Sequence, residues 1–178
     1  MQGKDILRVL PMEFVRDAVI SGITGNAHSS GRNGWSPYDT VSMLVMAVLL
    51  ILVAATFQDY GISWDEEIQN TYGKKILSFY LSGFEDQSVF KHFNLYLYGG
   101  SFDLVAAIVN EVSPFGEYET RHLLGGLVGT LGLVGIWRLG RLFGGPRAGF
   151  LALTLMTVTP VYYGHMFINP KDIPFACG

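Results

Sequence analysis

The chain has 178 residues and a net charge of −3, with 49% of its residues hydrophobic and only 15% charged, where about 25% charge is usual for a soluble domain. No run of Lys or Arg offers a nucleic-acid surface, and the single cysteine, Cys177, excludes an internal disulfide and a cysteine-built zinc site. The apolar residues are gathered into long runs, which sets the chain apart from an ordinary soluble domain.

Residues 1–39 read as a mixed-polarity cytoplasmic tail. Within it Ile6, Val9, Leu10, Phe14 and Ile20 give residues 5–20 the spacing of a short amphipathic helix, and residues 29–34 read as a loop. Val41–Phe57 follows, 17 residues without a charge. It begins too deep in the chain to be a cleaved signal peptide. With its neutral neighbours it approaches the roughly 20 residues that cross a bilayer as a helix, and it is the first expected span, about 40–57.

Residues 58–120 form a long hydrophilic connection. The stretch GISWDEEIQNTYGK at its start sets three carboxylates, Asp65, Glu66 and Glu67, directly after the span. Ser63 with Glu66 three residues on has the pattern of a capping box. Ile68, Tyr72, Ile76 and Phe79 recur at helical spacing, which predicts a helix lying along the membrane surface. Phe93–Val112 is a second amphipathic piece, interrupted by Asp103 and Asn110. A carboxylate near the bilayer centre costs at least ~2.5–3.5 kcal/mol, so this piece is expected at the interface rather than across it.

The second expected span, about 121–143, is rich in glycine, and Gly125 with Gly129 forms a small-xxx-small pair that admits close approach of another helix. FGGPRAG, residues 143–149, reads as a tight turn with Pro146 opening the next helix. The third expected span, about 147–168, runs into HMFINPKDIPF. The tail carries Lys4, Arg8, Arg16 and Arg32, and the second turn region Arg138, Arg141 and Arg147; the 58–120 connection has three lysines against ten acidic residues. The excess of Lys and Arg puts the tail and the 143–149 turn in the cytoplasm, and the acidic connection with the NPKD stretch outside. The fold class expected is therefore all-α: a polytopic membrane bundle of about three transmembrane helices with interfacial helices in a long outer loop. Residues 40–178 are expected to be the N-terminal part of a longer transmembrane domain.

Two acidic sites then face the same compartment, Asp65-Glu66-Glu67 and Asp172. A carboxylate there can take a proton from an attacking hydroxyl or hold a divalent ion. Arg121, His122, His165 and Lys171 are expected on the same rim, where a cation can neutralise a phosphate. The same residues also admit plainer readings: a helix N-terminus that favours negative charge, a snorkelling arginine, a turn at Asn169-Pro170.

The layout resembles the GT-C membrane glycosyltransferases, specifically the family 39-like group of protein mannosyltransferases and aminoarabinose transferases. The resemblance lies in the charge-free first span, the outer-loop acidic pair in ISWDE, the long loop with interfacial helices, the span RHLLGGLVGTLGLVGIWRLGRLFGGPRAG, and the ending TPVYYGHMFINPKDIPFA. It covers about residues 40–176 and rests on order and spacing. The resemblance implies transfer of a sugar from a polyprenyl-phosphate carrier to an acceptor lipid, glycan or protein on the outer face of a membrane, the bacterial plasma membrane, by an enzyme of which this chain alone would be an inactive part. It makes Asp65 the base or an acceptor-orienting carboxylate, Glu66 a support for it or for a metal, and Asp172 a residue near the donor phosphate. Arg121 and Lys171 are assigned to the phosphate from charge and side. A divalent cation, where one is used, would be held by Asp65, Glu66 and Asp172. The alternative is a non-enzymatic polytopic subunit, a transporter or glycan-assembly component, whose carboxylates are structural.

Overall fold

Ser36 starts the first helix. Its hydroxyl accepts from the Tyr38 amide at 3.3 Å, Asp39 Oδ2 accepts from the Ser36 amide at 2.9 Å, and Pro37 takes the first helical position. This is a capping box with the proline where its missing N–H costs nothing. The computed structural model describes residues 34–178. The amphipathic helix expected at 5–20 and nearly all of the loop at 29–34 lie outside the described residues. The tail ends a few residues earlier than the sequence suggests, because the cap at Ser36 lets the helix include Pro37–Asp39.

The described residues are helical, without strands. Helix α1 is Pro37–Thr56 and α2 is Trp64–Leu81. Two short 3₁₀ turns, Gln87–Lys91 and Leu95–Leu97, lead into α3, Ser101–Asn110. Then come α4, Glu117–Thr157, α5, Pro160–Ile168, and α6, Asp172–Cys177.

The 41 residues of α4 are not one rod. Gly145 has φ 78° and ψ −175°, a conformation open to glycine and strained for other residues, and Pro146 follows. The chain doubles back there: a Cβ on Gly140 would meet the Ala148 carbonyl and Ala152, and one on Gly149 would meet the Trp137 carbonyl. The turn expected at 143–149 is present, and its two arms are antiparallel. The third apolar run is broken again at Thr159, in extended backbone (φ −77°, ψ 108°) ahead of Pro160. It continues as α5 along the first arm, where Tyr162 donates to the Gly129 carbonyl at 2.7 Å.

Helix α1 lies antiparallel to the first arm of α4. Asp39 pairs with Arg141 at one end, the Phe57 carbonyl meets His122 at the other, and Val53 sits against Gly126 one turn before it. Met46, Leu49, Val53 and Phe57 form the buried stripe of α1, packed with Leu133 and Trp137 of the first arm, Leu153 of the second, and Met166 and Phe167 of α5. Gly125 and Gly129 are the small pair that admits this contact, for Met166 fills the space above both. The outward face of α1 is apolar too, with Leu44 61% and Ile51 68% exposed, where a helix of a water-soluble protein would be polar. Two helices, α1 and α4, are long and apolar enough to cross a membrane.

The acidic connection caps one end of this bundle. α3 has 10 residues, about 15 Å of helix, half the thickness a bilayer would require. It packs on α2 at Gly73, which lies against the Asp103 backbone.

Candidate functional site

The site end of the bundle is where α1 and α5 finish and α4 begins. Helix α2 is fastened there by its first turn. Ser63 Oγ donates to the Ile168 carbonyl at 3.0 Å, and Glu66 Oε2 accepts from the Ser63 amide at 2.6 Å, completing the capping box on that side. Glu66 Oε1 lies 2.8 Å from His122 Nε2, with both side chains 1% exposed. His122 Nδ1 is 3.2 Å from the Phe57 carbonyl. A carbonyl only accepts, so the Nδ1 contact requires the proton on that nitrogen. Tyr60 stacks on Phe167 at 4.0 Å and tilts an edge toward His122. Its hydroxyl is pushed up from the usual phenol range, first by burial and then by Tyr163.

A second buried pair stands beside the first. Arg121 Nη2 donates to Asp103 Oδ1 at 2.5 Å, with side chains 1% and 5% exposed. The Phe102 ring lies 5.6 Å from the guanidinium carbon, and Arg121 Nε and Nη1 have no hydrogen-bond partner. Burial raises the Asp103 carboxyl above its ordinary range, opposed by Arg121 and Lys171. Gln69, 2% exposed, extends this pair outward. Its amide nitrogen donates to Asp103 Oδ2 at 2.8 Å and its oxygen accepts from Lys171 Nζ at 3.0 Å. The orientation is dictated by the neighbours, a carboxylate on one side and an ammonium on the other. Arg121, Asp103, Gln69 and Lys171 thus form one continuous polar line from the interior to the surface.

Two clefts open on the surface, and Lys171 lines both. The first, about 290 Å³, is lined by Ser63, Trp64, Asp65, His165, Asn169 and Lys171, among others. The second, about 530 Å³, is lined by Leu97, Tyr98, Phe102, Asp103, Asp172 and Phe175, among others. Asn169 Nδ2 donates to Asp172 Oδ2 at 2.9 Å, and Asn169 Oδ1 accepts from the Lys171 and Asp172 amides. That is the turn read at Asn169-Pro170, and its Pro170 and Lys171 line both clefts.

The site residues named from sequence are therefore dispersed. Asp65 is exposed in the first cleft and Asp172 is exposed in the second. Glu66 is turned inward, because successive residues of a helix point about 100° apart and α2 buries the face that carries Glu66, Gln69 and Asn70. Arg121 and His122 are placed on the rim by the sequence reading. The structure corrects this: both are sealed inside, drawn there by buried carboxylates on α3 and α2. The carboxylates named for a divalent cation, Asp65, Glu66 and Asp172, do not converge, and no group of three metal-ligating side chains exists among the described residues. Gln69 and the Asp103–Arg121 pairing are not in the sequence reading. The signal available was Asp103 itself, a charge inside an apolar run, which demands a buried partner.

Comparison with protein-family models, with curated proteins and with solved structures finds no match for this chain.

Proposed function

We propose that this chain is part of a polytopic membrane glycosyltransferase that moves a sugar from a polyprenyl-phosphate donor to an acceptor on the outer face of the membrane. One observation carries the reading: Asp65, the exposed carboxylate of the acidic cluster, shares a cleft with the Lys171 ammonium at the bundle end where a lipid headgroup would lie. The reaction needs a base and a cation in one site. Asp65 takes the proton of the acceptor hydroxyl. The acceptor oxygen bonds to the anomeric carbon as the bond from that carbon to the phosphate oxygen breaks. The polyprenyl phosphate leaves with the electron pair, and Lys171 neutralises the charge it gains. The Glu66–His122 contact serves this chemistry indirectly by fixing the first turn of α2, on which Asp65 stands.

The second reading is a non-enzymatic subunit. It is favoured by the two buried pairs, which fasten α2 and α3 to the bundle and account for Glu66, Asp103 and Arg121 without any chemistry. Transfer of radiolabelled sugar from a prenyl-phosphate donor, measured in membranes from cells producing Asp65→Asn at blot-matched levels, separates the two. Loss of roughly 10²–10⁴-fold in rate is expected of a missing general base. Unchanged transfer removes the transferase reading and leaves Asp65 as helix-end charge.

A further inference from the structure

We infer that Gln69 is a positioning residue that keeps the Lys171 ammonium uncancelled: its amide stands between that ammonium and the Asp103 carboxylate and prevents a direct ion pair. The use made of the charge rests on the transferase reading, whereas the spacing role rests on geometry. Arg121 occupies Asp103 Oδ1, which leaves Oδ2 as the oxygen on which Lys171 could close. Both residues line the larger cleft, and Lys171 acts on the Asp103 carboxyl through space, opposing the rise that burial causes. Gln69 stands in the way. Its nitrogen donates to Asp103 Oδ2 at 2.8 Å and its oxygen accepts from Lys171 Nζ at 3.0 Å. Lys171 accordingly enters no ion pair among the described residues.

The residue type fits the task. A primary amide presents a donor to a carboxylate and an acceptor to an ammonium from the end of one side chain. A carboxylate in its place would cancel the ammonium and confront Asp103 with a like charge. A cation there would repel Lys171. An apolar side chain would leave Asp103 Oδ2 without a donor, in a residue only 3% exposed. The neighbouring carboxylate, Asp172, is held by Asn169. The Tyr98 ring, 5.6 Å from Lys171 Nζ, attracts the ammonium without neutralising it. Helix α2 also carries Asp65, four residues before Gln69, which is about one helical turn. A single turn of α2 therefore fixes the proposed base and the anchor of the proposed cation relative to each other. A direct Lys171–Asp103 pair would already be neutral and would offer nothing to a departing phosphate.

The test is competitive labelling of the full chain in detergent with trace acetic anhydride, reading acetylation of Lys171 against the exposed Lys91 by mass spectrometry. Gln69→Glu gives Lys171 a carboxylate partner and is expected to slow its labelling about threefold, the scale of an ion pair near the surface. Gln69→Met keeps the length, removes the acceptor and is expected to speed labelling about threefold, the scale of one hydrogen bond. Lys74 and Lys75, also on α2, are expected to stay unchanged in both variants, and retained helical circular dichroism verifies each. A glutamine that only packs predicts shifts of one sign, shared by Lys74 and Lys75 as α2 loosens, or no shift; either overturns the inference. If Gln69→Glu does not fold, Gln69→Met decides alone: a rise confined to Lys171 supports the inference, and anything else overturns it. The transferase reading is tested separately, in membranes from cells producing the full-length protein, where Gln69→Glu is expected to lower sugar transfer about tenfold at blot-matched levels. Opposite labelling shifts with transfer unaffected keep the spacer and remove Lys171 from that chemistry.

Discussion

Glu66 Oε1 and His122 Nε2 meet at 2.8 Å in a space closed to solvent, and this contact joins the first turn of α2 to the first arm of α4. On its other side His122 is held at Nδ1 by the Phe57 carbonyl, 3.2 Å away. Truncating one partner leaves the other buried and unsatisfied, at about 3–5 kcal/mol for a broken buried pair. Glu66→Ala is expected to destabilise the bundle by about 3 kcal/mol, because it also removes the cap on Ser63. Denaturant unfolding in detergent, followed by circular dichroism, measures it; a loss below about 1 kcal/mol would mean that water reaches the pair.

Arg121 and Asp103 stand 18 residues apart in sequence and bridge α4 to α3. Arg121→Met strands a buried carboxylate and is expected to cost about 3 kcal/mol. The double substitution Arg121→Met with Asp103→Leu is expected to recover most of that loss, because an apolar pair needs no desolvated charge to be compensated. A double-mutant cycle reads the coupling directly. Additive losses would show that the two side chains act independently.

The pH dependence of stability carries the signature of Asp103. Its folded carboxyl sits above the ordinary value of 3.8, through burial first, with Arg121 and Lys171 opposing. The folded state thus holds the proton where the unfolded state has released it. This group's contribution is full below pH 3.8 and is lost as pH rises through the folded value. The stability difference between the native chain and Asp103→Asn is therefore expected to shift against the native chain from pH 3.8 upward. Parallel pH-stability curves for the two proteins would contradict this.

The glycines of α4 are not equivalent. A Cβ on Gly125 would approach the Met166 carbonyl oxygen to 2.5 Å, whereas one on Gly135 meets nothing within 4 Å. Gly125→Ala must push α5 away from α4 and is expected to lose about 1–3 kcal/mol. Gly135→Ala relieves only the entropic penalty of glycine in a helix and is expected to gain roughly 0.5–1 kcal/mol. Unfolding midpoints of the two variants give opposite signs if this packing is right.

Local pattern was sufficient for much of the fold. The charge-free run at 41–57 became α1, the helical spacing of Ile68, Tyr72, Ile76 and Phe79 became α2, and Gly145-Pro146 became the turn of a hairpin. Composition, periodicity and turn chemistry act over a few residues, so a single chain displays them. The small pair Gly125 and Gly129 likewise announced a close helix contact and received Met166. Less legible was the third run, where Thr159-Pro160 interrupts an apolar stretch that hydropathy alone reads as continuous.

The sequence by itself determined that this chain is helical, that it has helices apolar enough for a membrane, and that carboxylates cluster at the end of the first of them. Tertiary structure alone decided which carboxylate is available. Asp65 and Glu66 are adjacent, yet one helical step of about 100° leaves the first in an open cleft and buries the second against His122. Arg121 went inside rather than to the rim because Asp103, brought over on α3, supplies the countercharge that makes its burial affordable. Lys171 came to lie between two clefts because Gln69 of α2 reaches it across the top of the bundle. These are partnerships between residues 18 to more than 100 positions apart, set by how α2 and α3 close over the bundle end, and no local pattern encodes them.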